Sequence, residues 1–348
     1  MRSVGCILPN MPLHGVLAAV WLFAGCTDDF NQHLAYDYLG DGVHEVRPVQ
    51  TPALTDVVRV DGELGPATVG GRVLDVDGRG IWQDGAPVTL DYVVDDGVLV
   101  PLDDQGLMLL SFYHHLAGAR DDVAARGWQD DMDAIFPVTA IAWIPAQMAD
   151  PTGPIENALH ITEQTLEVSN FSVFVLLEDA NDSIPLAGHA GIARHEFAHA
   201  WFQVLMRPLF NGNRVIRDRR ALNEGFADTY AILSLDDPMA IDFDGRDPRL
   251  PHTTDAYLES EDPYELASVF AAFAWDARTL SDDADRTLEL TIAALQDFSD
   301  FLSFPESNET TQQFGLMLYD QYATEIDDPA LCEMWLFRFP DLVGRCGR

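Results

Sequence analysis

Arg194-His195-Glu196-Phe197-Ala198-His199, followed by Asn223-Glu224-Gly225-Phe226-Ala227-Asp228, is the pair of stretches from which the rest of the chain is read. On a helix, residues four apart lie one turn apart on the same face. His195 and His199 can then both reach a single cation, with Glu196 beside it rather than bound to it. Two imidazoles at this spacing suit zinc, whose catalytic sites take three protein ligands and leave a fourth position to water. A second helical pattern carries Glu224, the natural third ligand. Asp228, one turn beyond it, is placed to accept the free ring N–H of a ligating histidine.

The flanking residues support two helices. Residues 186–202 set Ile192, Phe197, Ala200 and Trp201 as an apolar face around the histidines, and residues 219–235 continue the same period. HEFAH followed by NEGFAD resembles the gluzincin metallopeptidases, in particular the thermolysin and fungalysin families. That resemblance implies Glu224 as the third zinc ligand, Asp228 as the residue that orients a histidine, and Glu196 as general base. It also implies a thermolysin-like zincin domain with a mixed sheet, an active-site helix and a C-terminal helical lobe. In such families an asparagine-alanine pair on the edge strand of the cleft binds substrate backbone, and a Pro-Leu pair precedes the zinc helix. Asn157-Ala158 and Pro185-Leu186 match in that order, although the gap from Asn157 to His195 is longer than the family pattern. The family's oxyanion-stabilising histidine has no counterpart at the place where residues 264–273 match its helix. His252, Tyr257 and Tyr264 are the candidate substitutes, with His252 slightly ahead of the other two.

Working outward, the N-terminus holds Arg2 and a short apolar run over residues 16–25, too short to span a bilayer and typical of a signal segment. Its end, Leu22-Phe23-Ala24-Gly25-Cys26, resembles a bacterial lipobox with Phe23 in the usual place of leucine. The resemblance implies a signal over residues 1–25 and a lipid on Cys26, the chain's one link to a membrane. An ordinary signal peptide, with Met11 as an alternative start, is the other reading, and either one exports the protein.

Composition fits an exported, folded chain. There are 348 residues, 47% of them hydrophobic, and a formal net charge of −37 with no lysine at all. Such a surface repels nucleic acid and anionic lipid headgroups, which disfavours a polyanion as partner. So acidic a chain also has the carboxylates to take calcium besides zinc, but no stretch has the EF-hand arrangement. With Cys6 in the signal segment and Cys26 lipidated, Cys332 and Cys346 remain to pair in an oxidising compartment.

Residues 26–65 are polar, acidic and broken by Pro48, Pro52 and Gly65, and read as a tether. Residues 66–106 hold short β-rich runs separated by Asp-Gly turns. They resemble a small immunoglobulin-like β-sandwich module beside the enzyme, or equally form the edge of the catalytic domain's own sheet. From 107 to 348 the reading is the metallopeptidase domain: a helix over 107–128, strands over 138–144 and 172–177, the two metal helices, and helices over 264–278, 285–301, 309–322 and 329–337. The architecture expected is α+β, with the metal helix between a sheet and a helical lobe. The activity expected is zinc-dependent cleavage of a peptide or protein substrate. The competing expectations are a non-catalytic envelope binding protein with the same fold, and a zinc exopeptidase or amidase.

Overall fold

The computed structural model describes residues 32–76, 79–145, 158–165, 168–177, 186–206, 217–241, 246–257, 262–300, 309–327 and 329–340. Cys26 and the signal segment, Asn157, Pro185 and Cys346 lie outside the described residues. The chain is α+β, with all its strands before residue 178, two helices set among them, and helices alone from residue 190 onward among the described residues.

Strands β1 (Gln32–Gly40) and β2 (Val43–Val49) form an antiparallel hairpin. After the short β3 (Leu54–Asp56) and β4 (Asp61–Gly62) come β5 (Ala67–Val76), β6 (Arg79–Pro87), β7 (Tyr92–Asp95) and β8 (Val98–Pro101). β1 pairs in parallel with β8, which makes a four-stranded sheet in the order β2-β1-β8-β7. The tether expected over 26–65 is therefore corrected: from residue 32 onward it is built into the fold, as strands β1 to β4 and the turns that join them. The hairpin buries His33, Ala35 and Val49 but few other residues. Its backbone ladder rather than an apolar alternation marks it as strand, and composition does not reveal a ladder.

The second sheet is mixed and five-stranded. It adds β9 (Ala140–Ile144), β10 (Ala158–Thr165) and β11 (Val168–Leu177) to β5 and β6, in the order β10-β11-β9-β5-β6. β9 runs parallel to both β11 and β5, and each outer pair is antiparallel. Residues 66–106 are thus not a separate β-sandwich-like module. β5 and β6 complete the sheet of β9 to β11, as the second of the two readings had it, and β7 and β8 complete the sheet of the hairpin. Side chains alternate across the five-stranded sheet as the period of two requires. Ile141, Trp143, Phe174 and Leu176 join the main core, while Ala140, Ala142, Val173 and Val175 form a separate apolar cluster on the other face. β10 is an edge strand, and its ladder partner lies on one side only.

Helix α1 (Asp104–Ala125) starts where Asp103 accepts the N–H of Gly106 at 2.8 Å, an ordinary N-cap. α2 (Gln129–Ile135) follows, and its Asp131 accepts the indole N–H of Trp201 at 2.9 Å. Trp201 belongs to α3 (Ala190–Leu205), which packs on α4 (Arg217–Leu235). The seam is aromatic: Phe197, Trp201, Phe226 and Tyr230 are buried with ring centroids 5.4 to 5.7 Å apart across the two helices. After α5 (Thr254–Tyr257), α6 (Pro263–Ser281) covers the other side of α4, with Asp262 capping the N–H of Tyr264. Gly225 permits that approach. A Cβ there would stand 2.8 Å from the Phe270 ring and 3.1 Å from the Ala267 carbonyl. α7 (Ala284–Asp300), α8 (Glu309–Tyr322) and α9 (Pro329–Arg338) finish the helical lobe. Among the described residues no helix is long and apolar enough to cross a membrane. Cys332 on α9 is disulfide-bonded.

Candidate metal centre

The two helices deliver what the spacing asks of them. α3 turns His195 and His199 inward at one level, with Nε2 atoms 3.1 Å apart, and α4 brings Glu224 Oε2 to 3.3 Å from each. His195 and Glu224 are buried and His199 nearly so. This is the one group of three or more His, Cys, Asp or Glu ligand atoms that gathers among the described residues, and it could hold a metal ion.

The hydrogen bonds behind the triangle decide what its three atoms present. Nδ1 of His199 lies 3.0 Å from Asn223 Oδ1, and Nδ1 of His195 lies 2.8 Å from Asp228 Oδ1. The Asn223 oxygen accepts from Nδ1 of His199 and the Asp228 carboxylate pairs with the His195 ring, which turns both Nε2 atoms toward Glu224. Glu224 Oε2 is buried and has no hydrogen-bond partner. Glu224 Oε2 and the two Nε2 atoms therefore face one another, a set of ligand atoms that positive charge, whether protons or a metal cation, holds together. Their separations match one as well: tetrahedral ligands about 2.0–2.1 Å from a zinc-sized ion stand about 3.3 Å from each other. The donor set of two imidazoles and one carboxylate fits such a metal.

The electrostatics point the same way. Burial alone would depress His195, but the carboxylates of Asp228 and Glu224 outweigh it and lift the ring to about 10. Burial likewise pulls His199 down, and the charge of Glu224 reverses it. Burial pushes Glu224 up, and the two imidazoles hold it well below the usual carboxylate range. Each group calls for positive charge in the same small volume.

Glu196 lies in the same helix turn, buried, and one oxygen accepts the backbone N–H of His160 on β10 at 2.7 Å. Its burial raises its pKa above the usual value, against the pull of both histidines. The edge strand therefore reaches the carboxylate directly, and Ala158 sits two residues from that contact. The ring of His160 is kept neutral, at about 3, by burial and by the nearby charge of His199, with Nε2 2.9 Å from Ser172 Oγ.

Beyond the triangle, Asp228 is fully buried and also takes Nη1 of Arg246 at 3.1 Å. Arg246 lies over the Tyr264 ring at 4.8 Å, and Arg220 over the same ring at 5.8 Å while its Nε is 4.0 Å from Glu224 Oε1. Tyr264 is thus tied to the centre through both arginines. His252 is buried and uses both ring nitrogens in its own loop, Nδ1 with the Tyr257 hydroxyl and Nε2 with the Asp247 carbonyl, each at 2.9 Å. Asn223, Arg246 and the His160 N–H are contacts that sequence reasoning missed. Asn223 stood inside the quoted motif and its neighbourhood to Glu224 was the one signal available. Arg246 lies in a loop and the His160 contact is made by backbone, so neither leaves a side-chain pattern.

A scan against family models finds no match for the chain, and a search of curated proteins finds none either.

Proposed function

We propose that the protein is a zinc-dependent peptidase of gluzincin type, cleaving internal peptide bonds. The observation that carries the reading is the convergence of His195, His199 and Glu224 on one point, with the carboxylate of Glu196 beside it and an open sheet edge along it. His195, His199 and Glu224 would hold the zinc, which when bound supplies Lewis acidity and a water of lowered pKa.

The chain's own groups then have separable tasks. Asp228 and Asn223 fix the ring tautomers so that both Nε2 lone pairs face the metal position. Glu196, its pKa raised by burial, is suited to take a proton from the attacking water and return it to the leaving amine. Apart from the His160 N–H, which Glu196 takes, the outer edge of β10 would offer its backbone N–H and C=O groups to an extended peptide, bound as an added strand near Ala158. Of the three candidate donors to the oxyanion, Tyr264 is best supported, because the two arginines over its ring also contact Glu224 and Asp228. The disulfide at Cys332 supports folding in an oxidising compartment, in keeping with the export signal read in the sequence.

The test is a peptide-library digest of the purified protein beside its Glu196→Gln variant, with metal content measured on both. The expected result is cleavage that a chelator abolishes, and a Gln variant that keeps its metal but loses activity by several orders of magnitude. An active Glu196→Gln protein would remove Glu196 from its role as base.

A further inference from the structure

Helix α3 begins without a cap of its own. His189, just before it, makes no side-chain capping hydrogen bond, and no acidic residue stands in the first turn. The N–H of Ala190 donates instead to Nε2 of His44 on β2, at 3.0 Å. The other ring nitrogen, Nδ1, lies 3.2 Å from the Gly42 carbonyl. An amide N–H can only donate and a carbonyl can only accept, so the two contacts together fix the ring. Nδ1 carries the hydrogen, Nε2 is bare, and the imidazole is neutral. A protonated ring has no acceptor to offer.

We propose that His44 positions α3 by capping its first amide, and that it does so only while neutral, so that acid loosens the grip of the β1–β2 hairpin on the helix carrying His195 and His199. The inference stands apart from the peptidase reading, since it needs neither a bound metal nor a reaction.

The surroundings leave the freed amide little choice of partner. Asp237, just after α4, accepts the N–H of Gly42 at 2.9 Å and the hydroxyl of Tyr38, which holds the hairpin in place beside α3. On the neighbouring residue, Gly191, an added Cβ would fall 1.7 Å from the Ala240 carbonyl, so the first turn is wedged between the hairpin and the segment after α4. The groups facing His44 are Tyr38 of β1, His115 of α1 and His189 ahead of α3, with the charge of Asp37 acting on it and Asp237 one contact further, on Gly42 and Tyr38. Ring centroids of His44 stand 4.5 Å from His189, 5.1 Å from Tyr38 and 6.2 Å from His115.

Burial disfavours the charged ring and outweighs the Gly42 carbonyl and Asp37, which favour it, so His44 protonates below the ordinary histidine value. His115 is buried and held neutral more strongly still, by burial and then by His114, His44 and Arg194. A cation at this position would also oppose the positive end of the α3 dipole. Neutral His44 and a formed cap therefore favour each other, and protonation undoes both at once.

The experiment is hydrogen exchange on the full purified chain, followed by mass spectrometry over residues 189–197 at pH 7.5 and pH 5, with intrinsic rates corrected. The wild-type protein is expected to lose on the order of tenfold in first-turn protection on acidification, the scale of one hydrogen bond. His44→Gln, whose amide oxygen can take the place of Nε2 without titrating, is expected to hold its protection at both pH values. His44→Phe, which fills the ring's space without an acceptor, is expected to be poorly protected at both. Protection in the wild-type protein that does not change with pH overturns the proposal, as does an equal acid loss in the Gln variant or full protection in the Phe variant. A readout that needs no variant is the amide shift of Ala190, which must titrate with the same midpoint as the His44 ring; two different midpoints refute the coupling.

Discussion

Replacing Asp228 by asparagine isolates what its charge does for the metal centre. The change keeps the shape of a fully buried side chain and keeps an oxygen able to accept the His195 Nδ1 hydrogen, now 2.8 Å away. What it removes is the negative charge that both His195 and Arg246 face. A hydrogen bond to a charged group contributes about 1.5–3 kcal/mol and a neutral one about 0.5–1.5 kcal/mol, so roughly 1–1.5 kcal/mol of orientation and ring basicity is lost. Converted at 1.4 kcal/mol per decade, zinc affinity should fall about tenfold, at the lower end of the 10–100-fold usual for such outer residues. A competition titration against a chromophoric chelator at pH 7.5 measures it, with circular dichroism to show that the variant is folded. An affinity within twofold of the wild-type protein would refute the reasoning, because His195 would then be held by something other than the carboxylate behind it.

Three further outcomes are expected. Gly191→Ala places a methyl 1.7 Å from the Ala240 carbonyl, which backbone cannot yield cheaply; thermal unfolding should show a loss of several kcal/mol, within about 2–4, and an unchanged midpoint would mean that the two segments do not touch. Arg338 is buried, bonded to both oxygens of Asp276 and to the carbonyls of Leu250 and His252, so Arg338→Ala should destabilise by about 3–5 kcal/mol in a urea titration, whereas a cost under 1 kcal/mol would show those carbonyls satisfied by water. His33 is buried, and burial followed by the charge of His114 lowers it to about 4 from 6.5. Between those values the unfolded chain binds the extra proton, so this contribution is complete above pH 6.5 and is lost as pH falls toward 4. It amounts to about 3 kcal/mol at most. A stability profile that His33→Gln does not flatten between pH 6.5 and 4 would contradict it, and because that variant leaves His44 intact the two acid effects separate.

The metal helices were legible because a helix writes itself into spacing. Histidines four apart, and Glu224 and Asp228 four apart, each land on one face, and α3 and α4 place them there to within a few residues of the expected bounds. One strand of the five-stranded sheet was legible for a different reason: SVFVLL is a short continuous apolar run, as a strand buried on both faces requires, and it lies within β11. The hairpin of β1 and β2 was not. Its exposed positions mix Leu39, Val43 and Val46 with Glu45 and Arg47, its inward ones include a histidine, and pairing through the backbone leaves no mark on composition. The assignment of residues 66–106 failed in a related way, since turn-separated strands read alike whether they close a module of their own or extend a distant sheet. Contacts made by backbone, such as His160 to Glu196 and Ala190 to His44, join segments 36 and 146 residues apart and could only come from coordinates.

The central claim is that His195, His199 and Glu224 bind one metal ion together, and X-ray absorption at the zinc edge on protein of known metal content tests it most directly. The account predicts one zinc per chain, with two imidazole nitrogens and a carboxylate oxygen about 2.0–2.2 Å from it and no sulfur, and loss of that signature in His199→Ala. Zinc well below one per chain, sulfur in its first sphere, or an unchanged spectrum in the His199→Ala variant would contradict it.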